Sequence, residues 1–314
     1  MRIVIIGPNT PIPPKGWGAV ESLIWDYKLT LDKLGHSVLI INEGDPNQII
    51  RKVNDYRPDF VHINYDDWVP LYDFIQYPCA VTTHFAYLER PEMMGGYRQR
   101  VFNEFWRIKP NVFGLSEGIN DVYHNLAGIP RDRLFLNPNG VAINNFRFTT
   151  TPVCDDRSIY LAKVDSRKRQ HLFQSIDNLW YAGNIADPRF DTEKNYLGEW
   201  SKEVLYGHLT EYANLVLLSD GEAHPLVCME AFAAGLGVVV SQWGAANLDT
   251  SLPFIDVIPE EKIEDIDYVT TVINQNRLMS LKYRLDIREY AKQFSWENIL
   301  QKYYLPNIQT LINR

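Results

Sequence analysis

The sequence has few of the features that mark secreted and membrane-spanning proteins. Cysteine is scarce: Cys79, Cys154 and Cys228 are odd in number and far apart, which excludes a disulfide framework and a CxxC metal pair. No run of 18 apolar residues occurs, and the apolar stretch at residues 3–6 is too short for a signal peptide. We therefore expect a protein of the reducing cytoplasm, which could meet a membrane only peripherally.

Positive charge is also in short supply. The 314 residues include 31 Lys and Arg against 39 Asp and Glu, a formal net charge of −8, whereas nucleic-acid binding requires a basic face. The net charge therefore argues against nucleic acid as the main partner, although a local basic pocket for a small anion fits the same balance. With 46% hydrophobic residues, the chain has enough apolar material for two ordinary domains.

Short apolar runs alternate with helical patterns along the first half of the chain. The predicted strands are at residues 3–6, 37–41, 60–63, 80–83 and 111–115. Helices are predicted at residues 20–34, before Gly35, and at residues 49–56. Strands that alternate with helices in this way predict an open, doubly wound parallel sheet.

The alternation restarts after the threonine-rich segment at residues 149–152, which we interpret as a linker. The predicted elements of the second half are strands at residues 158–162, 215–218 and 237–241, a helix at 229–234 and a C-terminal amphipathic helix at 296–312 that Pro306 interrupts. The polar segment at 184–200 has no predicted element. The sequence thus predicts two parallel sheets in tandem, with ligands bound outside the carboxyl ends of the strands.

The strongest chemical pattern follows the second of these later strands. Glu222 and Glu230 bracket a turn that opens a helix, and carboxylates accept hydrogen bonds from paired hydroxyls such as those of ribose or a hexose. Pro225 suits the first helical turn, which leaves the N–H groups of Leu226 and Val227 for an anion or a sugar hydroxyl. The alternative is chance spacing, with one glutamate a solvated helix residue.

Basic residues follow the first strand of the second half. Lys163 comes just past the strand, and Lys168 lies in the run Arg167-Lys168-Arg169. We expect Lys163 and Lys168 to converge on a diphosphate and to stabilise the charge of a leaving group, with Arg167 and Arg169 as spare charge. A solvated basic turn is the ordinary alternative for such a run.

These pieces resemble the retaining family-4 glycosyltransferases of the GT-B fold. The segment from Ser219 to Gly235 is similar to the E-x7-E signature of that family, including its P-L-V before the second glutamate. Other pieces that match in order are G-W-G-A-V-E at 16–21, N-P-N-G-V at 137–141, A-K followed by R-K-R-Q at 162–170, and F-S-W-E at 294–297. Lys163 stands where the family has arginine, and Ala19 where it usually has glycine.

The resemblance implies a fold and a reaction. The fold is GT-B: two Rossmann-like, doubly wound parallel-sheet α/β domains that face each other across a cleft. Residues 1–150 would bind the acceptor, residues 151–294 the donor, and the helix at 295–314 would cross back onto the first domain. The reaction is transfer of a hexose-type sugar from a UDP- or GDP-linked donor to a hydroxyl of a glycan, glycolipid or small molecule. Retention is implied, with no metal and no cofactor beyond the nucleotide sugar.

The resemblance also implies roles for individual residues. Glu230 would hold the ribose hydroxyls, Glu222 the donor sugar, and Lys163 and Lys168 the diphosphate, while His84 would hydrogen-bond the hexose. The other residues expected to meet ligand are Gly16, Gly18, Ala19, His224, Pro225, Leu226 and Val227 for the donor, and Ser116, Asn139 and Arg98 for the acceptor. The alternatives are a buried core or capping histidine at His84 and a helix N-cap at Ser116.

Residues 85–109 combine aromatic and basic side chains and follow the strand that precedes His84. We expect them to face the acceptor, with an anionic acceptor or a lipid headgroup surface as the hypothesis. A solvated amphipathic helix is the favoured alternative. The D-x-D pattern of Asp265 and Asp267 lies in an acidic tract rather than after a strand, and we interpret it as solvated surface.

Other functions fit less well. Glu43 after the second strand mimics the dinucleotide pattern of a nicotinamide-dependent oxidoreductase, but no G-x-G-x-x-G follows the first strand. A nucleotide-sugar epimerase or a non-catalytic binder on the same fold stays open as an alternative.

Overall fold

The computed structural model describes residues 1–14 and 18–314, which separate into two compact units. The first unit comprises Met1–Gly140 and Trp296–Arg314, and the second comprises Val141–Ser295. Each unit is an open α/β sheet. The predicted donor residue Gly16 lies outside the described residues.

The first unit contains a parallel sheet, to which the described residues contribute six strands. These are β1 (Arg2–Ile6), β2 (Ser37–Ile41), β3 (Phe60–Ile63), β4 (Cys79–Val81), β5 (Val112–Gly114) and β6 (Leu134–Leu136). The helices of its main segment are α1 (Ala19–Lys33), α2 (Pro46–Tyr56), α3 (Gly95–Tyr97), α4 (Asn103–Ile108) and α5 (Glu117–Ala127). Every residue of β3, β4 and β5 is buried, as expected for a parallel sheet that is covered on both faces.

The second unit repeats this plan with a smaller sheet, five-stranded in the part of the chain that is described. Its strands are β7 (Cys154–Leu161), β8 (Leu179–Ala182), β9 (Tyr212–Leu217), β10 (Gly237–Ser241) and β11 (Ile255–Ile258). Its helices are α6 (Lys202–His208), α7 (Leu226–Ala234), α8 (Ile266–Lys282) and α9 (Arg284–Ala291). All of β9 and β10 is buried, which explains their continuous apolar sequences.

Both sheets have the same strand order, and this order places the candidate site. The orders are β2-β1-β3-β4-β5-β6 and β11-β10-β9-β7-β8, so β1 lies between β2 and β3 and β7 lies between β8 and β9. Chain connections leave in opposite directions on the two sides of such a central pair, which opens a crevice at its carboxyl end. We call the carboxyl ends of β1, β3 and β4 the first switch point, and those of β7 and β9 the second switch point.

The predicted α/β class and all the predicted strands are confirmed, whereas β6, β8 and β11 are not predicted from the sequence. All three lie at an edge of their sheet. Their side chains are in part exposed, so their apolar patterns are weaker than those of the central strands. Partial exposure at an edge therefore accounts for these three omissions, while the edge strand β2 is predicted because its apolar run from Val38 to Ile41 is continuous.

The threonine-rich segment that the sequence suggests as a linker packs within the second unit, whose first residue is Val141. The Val141 N–H donates to the Phe294 carbonyl at 2.8 Å. The fully buried Arg284 side chain donates from Nε to the Thr149 carbonyl at 2.7 Å and also to carbonyls of β9 and α7. These bonds attach residues 141–150 to the second sheet.

The C-terminal segment belongs to the first unit and is helical throughout. It consists of α10 (Trp296–Ile299), a π-helical turn (Leu300–Tyr304) and α11 (Leu305–Ile312). The Trp296 indole N–H donates to Asp26 at 3.1 Å, which attaches the segment to α1. The predicted interruption at Pro306 is wrong, because this proline lies in the first turn of α11, where its missing N–H costs little.

Candidate functional site

Two loops form the second switch point. The β7 loop, residues 162–170, follows β7, and the glutamate loop, residues 218–225, follows β9. Gly183, just past β8, fixes where the β7 loop begins. It has a φ of +147°, and a Cβ at this position would lie 1.9 Å from the Ala162 carbonyl oxygen, so only glycine allows the backbones to pass this closely.

Backbone and hydroxyl hydrogen bonds join the two loops. The buried Tyr160 hydroxyl accepts from the Leu218 N–H at 2.8 Å and donates to the Lys168 carbonyl. Burial raises the pKa of Tyr160, so the hydroxyl keeps its proton for this bond. The Asp220 N–H donates to the Arg167 carbonyl at 2.7 Å. The basic residues and the first glutamate are therefore held in one fixed arrangement.

Glu222 lies at the centre of this arrangement and is paired with two cations. Its Oε1 accepts from the Lys168 ammonium and, at 2.9 Å, from the Arg167 guanidinium. Only 10% of the Glu222 side chain is exposed, and the Lys168 side chain is equally buried. Burial alone would raise the pKa of Glu222, but the charges of Lys168 and Arg167 and hydrogen bonds to the carboxylate outweigh it and lower the pKa. Glu222 is thus held ionised.

Lys163 differs from Lys168 in its surroundings. Its side chain is exposed, and its ammonium has no partner within residues 1–14 and 18–314. Its carbonyl accepts from the buried Gln170 side chain at 2.9 Å, which fixes the backbone at the mouth of the β7 loop. The structure therefore brings Lys168 and Arg167 to Glu222 and leaves Lys163 as an available cation beside them; its convergence with Lys168 on a diphosphate stays a prediction.

Arg169 is part of a second ion-pair network, where the sequence suggests only spare charge. It donates to Asp220 at 2.7 Å and, with two nitrogens, to the carboxylate of Glu260, which follows β11. The Trp243 indole N–H, after β10, donates to the same carboxylate at 3.1 Å. This network connects the glutamate loop to the loops after β10 and β11. Sequence reasoning misses it because its members are far apart in the chain.

The start of α7 provides N–H groups. Pro225 is the N-cap rather than a first-turn residue, and α7 begins at Leu226 without a side-chain cap. The first helical bond runs from the Cys228 N–H to the Pro225 carbonyl, so the N–H groups of Leu226 and Val227 precede the helical hydrogen-bond ladder. Glu230 lies in the second turn of α7 and is half-buried.

His224 lies inside the glutamate loop and is buried, with 5% of its surface exposed. Burial lowers the pKa of His224 to about 4, so the imidazole is neutral at pH 7. It therefore adds an uncharged polar group to a loop that also carries the carboxylates of Asp220 and Glu222. This placement is compatible with the predicted role of His224 in lining the sugar pocket.

At the first switch point, His84 follows β4 and Asn64 follows β3. The His84 Nε2 lies 2.7 Å from the Asn64 Oδ1, and Asn64 is completely buried. Burial lowers the pKa of His84 to about 4, so the ring is neutral. Because an amide oxygen only accepts, Nε2 carries the proton and Nδ1 remains an acceptor. Asn64 is a residue that sequence reasoning misses, although its position directly after a buried strand could have indicated it.

Beneath this pair lies a buried carboxyl. Tyr97 donates to the Asp66 Oδ2 at 2.6 Å, and the Thr83 hydroxyl donates to the same oxygen. Burial raises the pKa of Asp66, against the lowering effect of these two hydrogen bonds. The group fixes Thr83, the residue before His84, and so fixes the start of the loop that carries the histidine.

The other predicted site residues differ in burial and in the contacts they make. Ser116 is the N-cap of α5: its hydroxyl accepts from the Ile119 N–H at 3.1 Å and donates to a glutamate carboxylate at 2.8 Å. Asn139 is buried and Arg98 is exposed. Gly18 is the N-cap of α1 and Ala19 its first residue. Their contacts with donor or acceptor stay predictions.

Several aromatic and basic side chains of residues 85–109 are buried or paired within the first unit. Tyr97 and Phe105 are buried in the first unit. Arg107 forms an ion pair with Asp73 at 2.8 Å, and Arg100 forms an ion pair with Asp67. These pairs neutralise Arg107 and Arg100 locally, while Arg98 and Trp106 are exposed. That this segment faces the acceptor or a lipid headgroup surface stays a prediction.

No helix in the described part of the chain is both long enough and apolar enough to span a membrane.

The acidic D-x-D pattern has a structural role. Asp265 is exposed and caps α8, where its carboxylate accepts from the Tyr268 N–H at 3.1 Å. Its neighbour Asp267 is also exposed. Across residues 1–14 and 18–314, no group of three or more His, Cys, Asp or Glu side chains is placed to hold a metal ion.

Comparison with known proteins identifies the fold. No family model and no curated protein matches this sequence. Sucrose-phosphate synthase from Thermosynechococcus elongatus is similar in structure, with a TM-score of 0.74 at 16% identity over 96% of each chain. HepE of Anabaena, solved in complex with UDP-glucose, has a TM-score of 0.71 at 14% identity over 100% of both chains. AviGT4, a glycosyltransferase involved in avilamycin A biosynthesis, has a TM-score of 0.71 at 16% identity over 99% of this chain and 98% of its own. The two parallel-sheet domains of this chain therefore have the GT-B fold.

Proposed function

We propose that this protein is a glycosyltransferase that binds a nucleoside-diphosphate sugar at the second switch point. The observation that carries the proposal is the arrangement around Glu222, where cations of the β7 loop, a carboxylate and the open start of α7 lie at the carboxyl ends of β7 and β9. A diphosphate needs fixed cations and N–H donors, and a sugar needs carboxylate acceptors for its hydroxyls. This crevice supplies both.

Each group has a proposed part in binding the donor. Lys163 and Lys168 would neutralise the diphosphate, and the N–H groups at the start of α7 would donate to the phosphate or to a sugar hydroxyl. Glu222 would accept from hydroxyls of the sugar. Glu230, on the next turns of α7, would accept from both ribose hydroxyls of the nucleoside.

The proposed reaction forms a bond between an acceptor hydroxyl oxygen and the anomeric carbon of the sugar. The bond from that carbon to the terminal phosphate oxygen breaks, and its electron pair stays on the nucleoside diphosphate. The leaving phosphate takes the acceptor proton on the same face of the sugar, which retains the anomeric configuration. Fixed lysines at this phosphate stabilise the charge as it develops, so no metal ion is required. Membership of glycosyltransferase family 4 is part of the proposal, supported by the E-x7-E spacing.

The acceptor is proposed to bind in the first unit. His84 and Asn64, at the first switch point, are neutral and suited to hydrogen-bonding hydroxyls. A hydroxyl of a glycan, a glycolipid or a small molecule would meet this requirement. For the donor, UDP-glucose is the first compound to test because the structurally similar HepE is solved in complex with it.

Thermal-shift screening with nucleoside diphosphates and nucleotide sugars tests the proposal. A ligand that binds the native state raises its melting temperature. We expect at least one UDP- or GDP-linked sugar to raise the melting temperature of the wild type and to raise that of Lys168→Ala much less. Lys194→Ala, which removes an exposed lysine of the same unit, is the matched control and should behave as the wild type.

Transfer is measured separately, as release of the nucleoside diphosphate with and without added acceptors. Release that depends on an acceptor supports a transferase. Binding without release or transfer would instead support a non-catalytic binder, and interconversion of the free nucleotide sugars would support an epimerase. No stabilisation by any compound of the panel would contradict the proposal.

A further inference from the structure

Arg167 contacts the glutamate loop at three points. Its carbonyl accepts from the Asp220 N–H at 2.7 Å, and its guanidinium donates to the Gly221 carbonyl at 2.7 Å and to Glu222 at 2.9 Å. Both guanidinium bonds come from Nη1, which uses its two hydrogens within the protein, while three further N–H donors lie on Nε and Nη2. Arg167 therefore binds three successive residues that end at the glutamate.

Lys168 and Arg167 both neutralise Glu222, but their bonding differs. Lys168 makes one flexible point contact through Nζ, with three donors that can turn to a new acceptor. A diphosphate carries more negative charge than a carboxylate and competes for this ammonium. Arg167 is fixed at the Gly221 carbonyl as well, so a ligand cannot draw it away without breaking a second bond.

A buried carboxylate that loses its cation becomes costly to keep ionised. If Lys168 turns to a diphosphate, Arg167 is the cation that stays paired with Glu222 and keeps it charged and in place. The Asp220 N–H bond and the Gly221 bond prevent the loop from relaxing at the same moment.

We infer that Arg167 is a positioning residue, which holds Glu222 in the ionised, fixed state that binds the sugar of the donor. This inference rests on the proposed function and deepens it. It assigns Arg167 to the sugar and not to the diphosphate, although the residue lies in a basic run beside Lys168. Recognition of the sugar then depends on a residue that does not touch it.

The test compares the dissociation constants of UDP and UDP-glucose by calorimetry for wild type, Arg167→Ala, Glu222→Gln and the double variant. If the thermal-shift panel selects GDP and a GDP-linked sugar, those two ligands replace UDP and UDP-glucose in the calorimetry. Arg167→Ala should change UDP affinity by about twofold or less and weaken UDP-glucose by about tenfold or more, the scale of a lost charge-assisted hydrogen bond. In the Glu222→Gln background, Arg167→Ala should add no further loss, because residues that act through one another are not additive.

Two further variants keep the test decisive. Arg167→Lys retains the charge but not the second bond, and should recover part of the UDP-glucose affinity; it also serves if Arg167→Ala does not fold. Arg157→Ala removes a guanidinium of the same unit that lies over the Trp180 ring at 4.6 Å, and should leave both affinities unchanged.

Two results would overturn the inference alone: an equal loss of UDP and UDP-glucose affinity in Arg167→Ala, which would make Arg167 a diphosphate ligand, or fully additive losses in the double variant. A wild type that binds no nucleotide and no nucleotide sugar would overturn the proposed function, and this inference with it.

Discussion

The two switch points share one strand order but differ in charge. At the second, the polar side chains of the β7 and glutamate loops are largely ionised and paired: Glu222 with Lys168 and Arg167, and Arg169 with Asp220. At the first, His84 is neutral and bonds to the uncharged Asn64. The same topology therefore supports one crevice built around ion pairs and another whose His84–Asn64 pair is neutral, next to the Asp66 carboxyl that Thr83 and Tyr97 hold.

The difference indicates how the work is divided between the domains. A nucleoside diphosphate is a dianion or more, and a crevice whose loops already carry cations can receive it when a lysine side chain turns to the phosphates. An acceptor hydroxyl carries no charge, and neutral groups bind it without leaving a buried ion unpaired. Four predictions would break or sharpen this comparison.

The largest expected effect is at Lys163, the available cation of the second switch point. If the Lys163 ammonium faces the leaving phosphate, its stabilising interaction strengthens as negative charge accumulates on that phosphate in the transition state. Lys163→Ala should therefore lower kcat by about 10²-fold or more. Lys163→Arg should retain much of the rate, since it keeps the charge. Steady-state kinetics, with the donor that the thermal-shift screen identifies, measure kcat and KM for each variant. A normal kcat with only a raised KM would show that Lys163 merely helps to bind the donor.

Glu230→Ala should weaken binding of the nucleoside diphosphate by about 1–3 kcal/mol, because it removes the proposed acceptor for the ribose hydroxyls. The exposed Glu203→Ala, in α6, is the matched control. Calorimetric titration with UDP and GDP provides the measurement. Unchanged affinity in a folded Glu230→Ala protein would remove this glutamate from the donor site.

The buried, neutral histidines of the first unit predict a pH dependence of stability. His62 in β3 is completely buried, and burial, together with the nearby His84, lowers its pKa to about 3, whereas an unfolded histidine has a pKa of about 6.5. The unfolded state therefore takes up a proton that the native state does not, and stability present above pH 6.5 is lost as the pH falls. Between pH 7 and 5 this one residue accounts for about 2 kcal/mol of unfolding free energy.

Denaturant unfolding at several pH values tests this, with His62→Gln compared to the exposed His208→Gln. His62→Gln should flatten the pH dependence of the unfolding free energy, whatever it does to stability at pH 7. An unchanged slope would mean that His62 is protonated in the native state, and the contrast between the switch points would weaken.

The smallest expected effect is that of chelation. Because the proposed stabilisation of the leaving group comes from lysines and N–H groups, activity should persist in excess EDTA. The measurement is donor turnover before and after chelation. Loss of activity that Mg²⁺ or Mn²⁺ restores would show that the cations of the β7 loop are insufficient.

The sequence predicts the central strands well, for physical reasons. Strands such as β1 and β10 are buried on both faces, so their β-branched runs are unambiguous. Edge strands such as β8 and β11 are only partly buried, so their apolar sequence patterns are weaker. The threonine-rich segment has the composition of a linker, yet Arg284, far along the chain, attaches it to the second sheet.

The candidate site shows a similar limit. Residue types and strand ends indicate where Lys168 and Glu222 lie, but not that they pair, because 54 residues separate them. The choice between Lys163 and Lys168 as the free cation depends on side-chain burial, which no local pattern encodes. Asn64 escapes notice since a single asparagine after a strand is common in loops.

Hydrogen exchange of the backbone amides, measured with and without the donor nucleotide, tests most directly that the donor binds the ion-paired switch point. Saturating UDP or GDP, whichever raises the melting temperature, should slow exchange in residues 162–170 and 218–234. Residues 64–90, around the first switch point, should change much less. Protection confined to residues 64–90, with none in the β7 and glutamate loops, would contradict the assignment of the donor to the second unit.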